Sequence, residues 1–175
     1  MPYRTTAIAA AIGLGLAAPA AAEVTKSDAG GFVSTHRLVV AAPPERLWDV
    51  IARPGLWWSK DHSYSGDSAN LSLEARPGGC WCEKLSGGAI EHARVIYADR
   101  ARVLRLSGAF GPLQSGAVTG TLTFALSPAG RGTALTVTYV VGGYHPQGLQ
   151  GFAPAVDGVF AAQMPALKRA AEAPE

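Results

Sequence analysis

The sequence has 175 residues, of which 48% are hydrophobic and 16% are charged, and its formal net charge is +2 at pH 7. This length is enough for one domain with a sizeable core. Because basic and acidic residues nearly balance and no run of lysine or arginine occurs, the composition argues against a nucleic-acid partner. It also gives little support to electrostatic binding at a membrane surface.

The first 22 residues have the pattern of a secretory signal peptide. Arg4 precedes an apolar run over residues 7–18, and three small residues follow at 20–22. The competing interpretation is a membrane anchor, but this run is short for a span of roughly 20 residues. We predict cleavage after Ala22, a periplasmic or secreted protein, and no stable membrane insertion after signal cleavage. The polar residues 23–30 are expected to form a loose leader.

The first predicted strand covers residues 32–41, and its alternation puts His36 and Arg37 on opposite faces. Since arginine prefers water, His36 is expected to point to the core. A histidine satisfied by a backbone group is the commoner use of such a position, and contact with a ligand or a role as a base is the alternative.

Two short helical segments are predicted after this strand. Pro44 can occupy the first helical position with Glu45 in the first turn, and the segment 53–55 (RPG) ends the helix. A second short helical turn carries Trp57 and Trp58. We expect one of these tryptophans to pack in the core and the other to close the mouth of a pocket.

The chain between residues 70 and 141 predicts six more strands joined by turns, which makes about seven strands in total. They cover residues 70–75, 80–85, 89–98, 102–109, 117–127 and 133–141. The last two alternate most clearly between an apolar face and a threonine-rich face, which is typical of an antiparallel sheet with one side in water. Short loops between successive strands indicate a meander within one domain.

The C-terminal stretch 148–171 predicts a long amphipathic helix, because its apolar residues keep one face of a 3.6-residue period. These residues are Phe152, Ala155, Val156, Val159, Phe160, Met164 and Leu167. Pro165 is expected to kink the helix in its last third. A single amphipathic helix after many strands needs a sheet to cover its apolar face, which indicates an α+β fold.

The two cysteines, Cys80 and Cys82, are spaced so that a strand places both on the face opposite to Trp81. In an exported protein such a pair suggests a disulfide, although residues two apart in a strand lie about 6.5–7 Å apart, at the limit that a disulfide spans. A Cys80–Cys82 bridge at a bulge, a link between two chains and a pair of free thiols are therefore all possible. The four histidines show no ligand spacing, so no metal site is expected.

Several motifs together resemble those of the START/SRPBCC helix-grip superfamily. They are the segments 43–48 (PPERLW), 57–58 (WW), 78–83 (GGCWCE, with its Gly-Gly-x-Trp-x-Glu pattern) and 132–138 (GTALTVT), followed by the closing helix. They are most similar to its polyketide-cyclase-like and heat-shock-ATPase-activator-homologue branch, and the resemblance covers one domain over residues 31–172. It implies a helix-grip α+β fold, in which a curved antiparallel sheet of about seven strands wraps around a long C-terminal helix.

Members of this superfamily use the space between the sheet and the long helix as a cavity for hydrophobic ligands, so the resemblance implies a ligand site there. The small and apolar residues of the helix and the facing strands fit such a cavity, and a filled core is the alternative that the same residues would build. No cofactor and no metal is expected. The predicted ligand-binding residues are His36, Trp58, Trp81, Leu106, Phe124, Tyr139, Val156 and Phe160.

The sequence contains no GxSxG, HExxH or glycine-rich phosphate loop, so we favour an exported binding protein for a small hydrophobic or amphipathic ligand. One alternative is a structural or interaction protein that dimerises through its two cysteines. An ATPase-activating role conflicts with the signal peptide. The other alternative is a cyclase- or hydrolase-like enzyme that uses acid/base groups in the same cavity. It requires that at least two of the side chains of His36, Arg94, Tyr139 and Asp157 converge within hydrogen-bond distance inside the cavity.

Overall fold

The computed structural model describes residues 22–174, so the predicted signal peptide lies outside the described residues except for Ala22. The described residues form one eight-stranded sheet and two α-helices. The strands are β1 Ala22–Asp28, β2 Gly31–Val40, β3 Leu71–Leu73, β4 Cys80–Leu85, β5 Gly88–Asp99, β6 Val103–Gly108, β7 Ala117–Ala129 and β8 Gly132–Tyr144. The helices are α1 Pro44–Ile51 and α2 Ala153–Glu172.

The sheet is antiparallel throughout, in the order β1-β2-β8-β7-β6-β5-β4-β3. Strands β3 to β8 follow one another as the predicted meander, and β2 pairs with β8 along its whole length. The curved sheet packs against α2, which follows the last strand. This architecture is the helix-grip α+β fold that the sequence predicts.

Residues 23–30, which were predicted to be a loose leader, instead form most of the edge strand β1 and its turn into β2. The Asp28 carboxylate accepts hydrogen bonds from the backbone N–H groups of Gly30 (2.8 Å) and Gly31 (3.0 Å), which fixes the hairpin turn. The prediction was wrong because β1 lies at the sheet edge. Its side chains from Thr25 onward are exposed, so they show no apolar alternation.

The inner face of the sheet carries the core, as the alternation predicted. On β7 and β8 the inward residues Leu122, Phe124, Leu135 and Val137 are buried, and the threonines between them lie on the outer face. On β2 His36 is buried on the inner side, which confirms its predicted orientation.

The chain between α1 and β3 forms three short 3-10 turns, Pro54–Leu56, Lys60–His62 and Ser68–Asn70. The first of them ends at Leu56, just before the two tryptophans that were predicted to lie in the second helical turn. The side chain of Gln163 on α2 accepts a hydrogen bond from the backbone N–H of Ser59 (2.7 Å), so it ties this segment to the long helix.

Helix α2 begins after a 3-10 turn at Gln150–Phe152, a few residues later than predicted. It continues through Pro165 to Glu172, so this proline does not end the helix, and the kink expected there stays a prediction. The residues of α2 that are buried are Ala153, Val156, Phe160, Gln163, Met164, Leu167 and Ala171. Neither helix within residues 22–174 is both long and apolar enough to cross a bilayer.

Candidate functional site

A cavity of about 470 Å³ lies between α2, the segment that follows α1, and the inner face of β4 and β5. Most of the residues that line it are apolar or aromatic. Its size falls within the range of cavities that take small organic molecules, about 300–1,000 Å³. The structure therefore favours an open cavity over the filled core that the sequence alone also allowed.

Four aromatic side chains, Trp58, Trp81, Phe110 and Phe160, form the inner wall of this cavity. Ring centroids lie 5.3 Å apart between Trp58 and Trp81, 5.2 Å apart between Trp81 and Phe110, and 6.0 Å apart between Phe110 and Phe160. All three contacts are edge-to-face, an arrangement that adds stability beyond the burial of the rings. Because each ring is held by its neighbours, the wall is formed before any ligand enters.

The two adjacent tryptophans have different environments. Trp57 packs in the core, and its indole N–H donates to the backbone carbonyl of Val50 (3.0 Å). Trp58 lines the cavity, and its indole N–H donates to the carbonyl of His62 (2.9 Å). Since both polar groups are satisfied, both rings are buried without an unpaired donor.

Helix α2 adds mostly small side chains to the cavity wall beside Phe160. Ala155, Val156, Val159 and Phe160 line the cavity, and they belong to the apolar face that the periodicity predicted. The second half of the same face packs into the core. The cavity therefore exists because the first turns of α2 do not fill the space above β4 and β5.

The exposed rim of the cavity is more polar than its interior. Asp61, His62 and Tyr64 are exposed and line the cavity from the segment after α1. The Tyr64 hydroxyl donates a hydrogen bond to the carbonyl of Gly111 (2.9 Å), which joins this segment to the loop after β6. The two sides of the opening are thus linked by one hydrogen bond.

One buried polar pair interrupts the apolar interior. Glu83 is fully buried, and its Oε2 lies 3.0 Å from Nε2 of His92. The carboxylate also accepts hydrogen bonds from the backbone N–H groups of Tyr64 (3.2 Å) and Ser65 (2.5 Å). Donors therefore surround this buried carboxylate, as a charge away from water requires. The His92 ring lines the cavity and lies parallel to Phe110.

A β-bulge explains why His92 faces the cavity. In the pairing of β4 with β5, Trp81 lies opposite Ala93 and Cys82 lies opposite Glu91, so His92 is an extra residue between them. As a result His92 and Ala93 are both buried, although strict alternation would place them on opposite faces. Bulges commonly redirect a side chain in this way next to functional sites.

The charge state of this pair follows from its surroundings. Burial lowers the pKa of His92, and Glu83 only partly opposes this shift. Burial alone would raise the pKa of Glu83, but hydrogen bonds from Ser65, Tyr64 and His92 outweigh it and hold this pKa below its usual value. At neutral pH the pair is thus a carboxylate and a neutral imidazole whose Nε2–H donates to the carboxylate.

The structure divides the eight predicted ligand-binding residues into two sets. Those in the cavity wall are Trp58, Trp81, Val156 and Phe160. Those buried in the core outside this wall are His36, Leu106, Phe124 and Tyr139. Both sets share the inner side of the fold, so alternation and helical periodicity could not separate them.

Tyr139 is a structural residue of the core. Its hydroxyl donates to the carbonyl of Gly108 (3.0 Å) and accepts from the backbone N–H of Phe110 (3.3 Å). Burial raises the pKa of Tyr139 to about 12, against a smaller opposing effect of the Phe110 hydrogen bond. The hydroxyl therefore stays protonated at neutral pH, and it holds the Phe110 segment in place for the cavity wall.

His36 and Asp157 converge, but they do so outside the cavity wall. His36 Nε2 lies 3.2 Å from Asp157 Oδ1 and 3.0 Å from Ser34 Oγ, and the Ser34 hydroxyl donates to Asp157 (2.6 Å). Burial lowers the pKa of His36, and Asp157 opposes this shift. Arg94 lies on the surface and pairs with Glu91. The enzyme alternative required convergence inside the cavity, so this network supports a structural link between β2 and α2 instead.

Cys80 and Cys82 form a disulfide within one chain, with their Cα atoms 5.4 Å apart. It lies at the bulge of β4 and β5, and Trp81 between the cysteines points inward, as predicted. The bridge uses both sulfur atoms, so the structure gives no support to a dimer linked through them. Glu91 lies near the two sulfurs, but disulfide sulfurs are not thiolate metal ligands.

The predicted set of ligand-binding residues did not include Glu83, His92 and Phe110. Glu83 carried a readable signal, because it lies two residues after Trp81 and so shares its inward face. An inward carboxylate needs donors, and this requirement could have directed attention to His92 on the next strand. Phe110 follows the end of β6 in a loop, where no periodicity reports orientation.

Comparisons with known proteins agree with this geometry. The family model described as "Polyketide cyclase / dehydrase and lipid transport" matches residues 32–172. None of the curated proteins compared with the chain matches it.

Solved structures with the same fold share little sequence with the chain. A putative uncharacterised protein of Rhizobium leguminosarum has a TM-score of 0.63 at 16% identity, covering 85% of this chain and 99% of its own. A protein of Mycobacterium smegmatis gives 0.60 at 18% identity, covering 90% and 99%. The Aha1 dimer of Colwellia psychrerythraea gives 0.57 at 17% identity, covering 79% and 94%. The chain therefore belongs to the polyketide cyclase/dehydrase and lipid transport family, within the START/SRPBCC helix-grip superfamily.

Proposed function

We propose that this protein is an exported carrier that holds one small, neutral, hydrophobic ligand in the cavity between the sheet and α2. The observation that carries the proposal is the cavity itself, about 470 Å³ in volume and walled by four mutually packed aromatic rings. Burial of a bicyclic or longer apolar molecule against such a wall is favourable, because it removes apolar surface from water on both partners.

The family assignment supports binding as the general role, since lipid transport is part of the family's description. Export is supported by the signal-peptide pattern of residues 1–22 and by the two cysteines, because disulfides persist in oxidising compartments.

A cyclase- or hydrolase-like activity is the second candidate, and the Glu83–His92 pair is the observation that favours it. A neutral imidazole held by a carboxylate is a common general base. However, no side-chain nucleophile lies within hydrogen-bond distance of His92 among the described residues, so binding has the stronger support.

Fluorescence titration with N-phenyl-1-naphthylamine, a neutral probe that brightens in apolar sites, tests the proposal. We expect saturable one-to-one binding to the wild-type protein. Val159→Trp fills the cavity from the helix side, so it should weaken binding by about tenfold or more. Val140→Trp makes the same change on the exposed outer face of β8 and should bind like the wild type. Absence of binding to the wild type, or equal binding to both variants, would contradict the proposal.

A further inference from the structure

We propose that His92 Nδ1 is the polar recognition point of the cavity, and that it selects a neutral ligand carrying a hydroxyl or N–H donor on its apolar body, such as a phenol. This inference rests on the proposed binding function and specifies the class of ligand.

The nitrogen of the His92 ring that has no hydrogen-bond partner among the described residues is Nδ1. The ring of His92 is bound through Nε2 to Glu83, and Nδ1 makes no hydrogen bond in the structure. Within the described residues, no fully buried side-chain nitrogen or oxygen lacks a hydrogen-bond partner. Nδ1 is therefore not sealed in the core, and because His92 lines the cavity, this nitrogen is reached from the cavity.

The proton on Nε2 determines the direction of a hydrogen bond between Nδ1 and a ligand. Glu83 accepts from Nε2–H and from two backbone N–H groups, so it fixes the imidazole with its proton on Nε2. Nδ1 then carries a lone pair and acts only as an acceptor. A ligand that meets this nitrogen must donate a hydrogen bond, since a ligand carbonyl or ether oxygen would leave both acceptors unpaired.

The charges around the cavity disfavour an anionic ligand. The cavity-lining residues include neither lysine nor arginine, and their one acidic residue is Asp61 at the rim. Directly behind His92 lies the buried carboxylate of Glu83. An anionic ligand such as a fatty-acid carboxylate would meet no cation and one close negative charge, so the site disfavours it.

The His92 ring is held in one orientation by its neighbours. His92 lies parallel to Phe110 with ring centroids 6.0 Å apart, and the bulge between β4 and β5 sets its backbone. An acceptor held in this way in an apolar surrounding discriminates strongly, because a matched donor avoids an unpaired buried group.

The test compares 1-naphthol, which donates a hydrogen bond, with 1-methoxynaphthalene, which cannot, as competitors of N-phenyl-1-naphthylamine. In the wild type we expect 1-naphthol to bind about tenfold more tightly than the ether. His92→Leu removes the Nδ1 acceptor and puts no other acceptor in its place, so it should abolish this preference. His145→Leu makes the same change outside the cavity lining and should retain it.

The outcomes separate this inference from the proposed function. If the naphthylamine probe binds but the two competitors show the same ratio in the wild type and in His92→Leu, the inference is wrong while the carrier function stands. If the probe does not bind the wild type at all, the carrier function itself fails.

A second measurement uses only the wild-type chain, in case His92→Leu does not fold. In the ¹⁵N NMR spectrum of the labelled protein, the Nδ1 resonance of His92 should report an unprotonated nitrogen. It should shift on addition of 1-naphthol and stay in place with 1-methoxynaphthalene. A proton on Nδ1, or the same response to both compounds, would overturn the proposal.

Discussion

Among single residues, the buried histidines couple stability to pH. His36 contacts Asp157 and Ser34, and His92 contacts Glu83 and the Tyr64 ring. Burial lowers the pKa of both imidazoles from the ordinary value of 6.5. The unfolded chain therefore binds protons that the folded chain does not, and stability falls as pH drops below that value.

We expect the free energy of unfolding to be constant near pH 8 and to fall between pH 6.5 and pH 5, by at most about 1.4 kcal/mol per pH unit for each histidine. Below pH 4.5 protonation of Glu83, whose folded pKa is lowered, adds a further loss. Urea unfolding at fixed pH values measures this. His92→Gln should flatten the upper part of the curve, and an identical slope in this variant would contradict the assignment.

A second residue-scale prediction concerns Gly120, which lies under the ring of Tyr139. A Cβ at this position would collide with that ring, so Gly120→Ala should destabilise the fold by about 1–3 kcal/mol. Gly158 provides the control, because a Cβ there meets open space within α2 and alanine favours helix. Thermal or urea unfolding should show loss for the first variant and a small gain for the second; equal effects would contradict this packing.

At the scale of elements, the strands and the long helix could be predicted because their signals are periodic. Leu122 and Phe124 on β7 and Val156 and Phe160 on α2 all face inward as the patterns indicated. Two features of the sheet could not be predicted from the sequence, for physical reasons. The side chains of the edge strand β1 from Thr25 onward are exposed and show no apolar alternation, and the bulge at His92 breaks the alternation on which orientation is read.

The disulfide on β4 gives a prediction at the same scale. It joins residues two apart, so it closes a very short loop, and in the chain-entropy model its loss costs only about 1–2 kcal/mol. Cys80 and Cys82 lie on the face opposite to Trp81, so Cys80→Ser/Cys82→Ser should leave binding of the naphthylamine probe unchanged. Urea unfolding and probe titration of the double variant measure both effects, and lost binding in a folded variant would contradict them.

For the whole molecule, the order and spacing of residues predicted the fold and the family, but only half of the predicted ligand-binding residues line the cavity. Leu106 and Phe124 lie in the core, whereas Trp58 and Phe160 line the cavity, although all four face the interior. The boundary between core and cavity depends on how far α2 stands from the sheet. Tertiary contacts of α2, such as the hydrogen bond that Gln163 accepts from the backbone N–H of Ser59, are not encoded in any local pattern.

Native mass spectrometry of the wild-type protein, purified without detergent from its own host, tests the central claim most directly. We expect a species with the added mass of one small neutral molecule, or uptake of one equivalent of N-phenyl-1-naphthylamine if the protein is isolated empty. Val159→Trp prepared in the same way should carry neither. A wild-type protein that shows no added mass and takes up no probe in excess would contradict the assignment of this cavity as a ligand site.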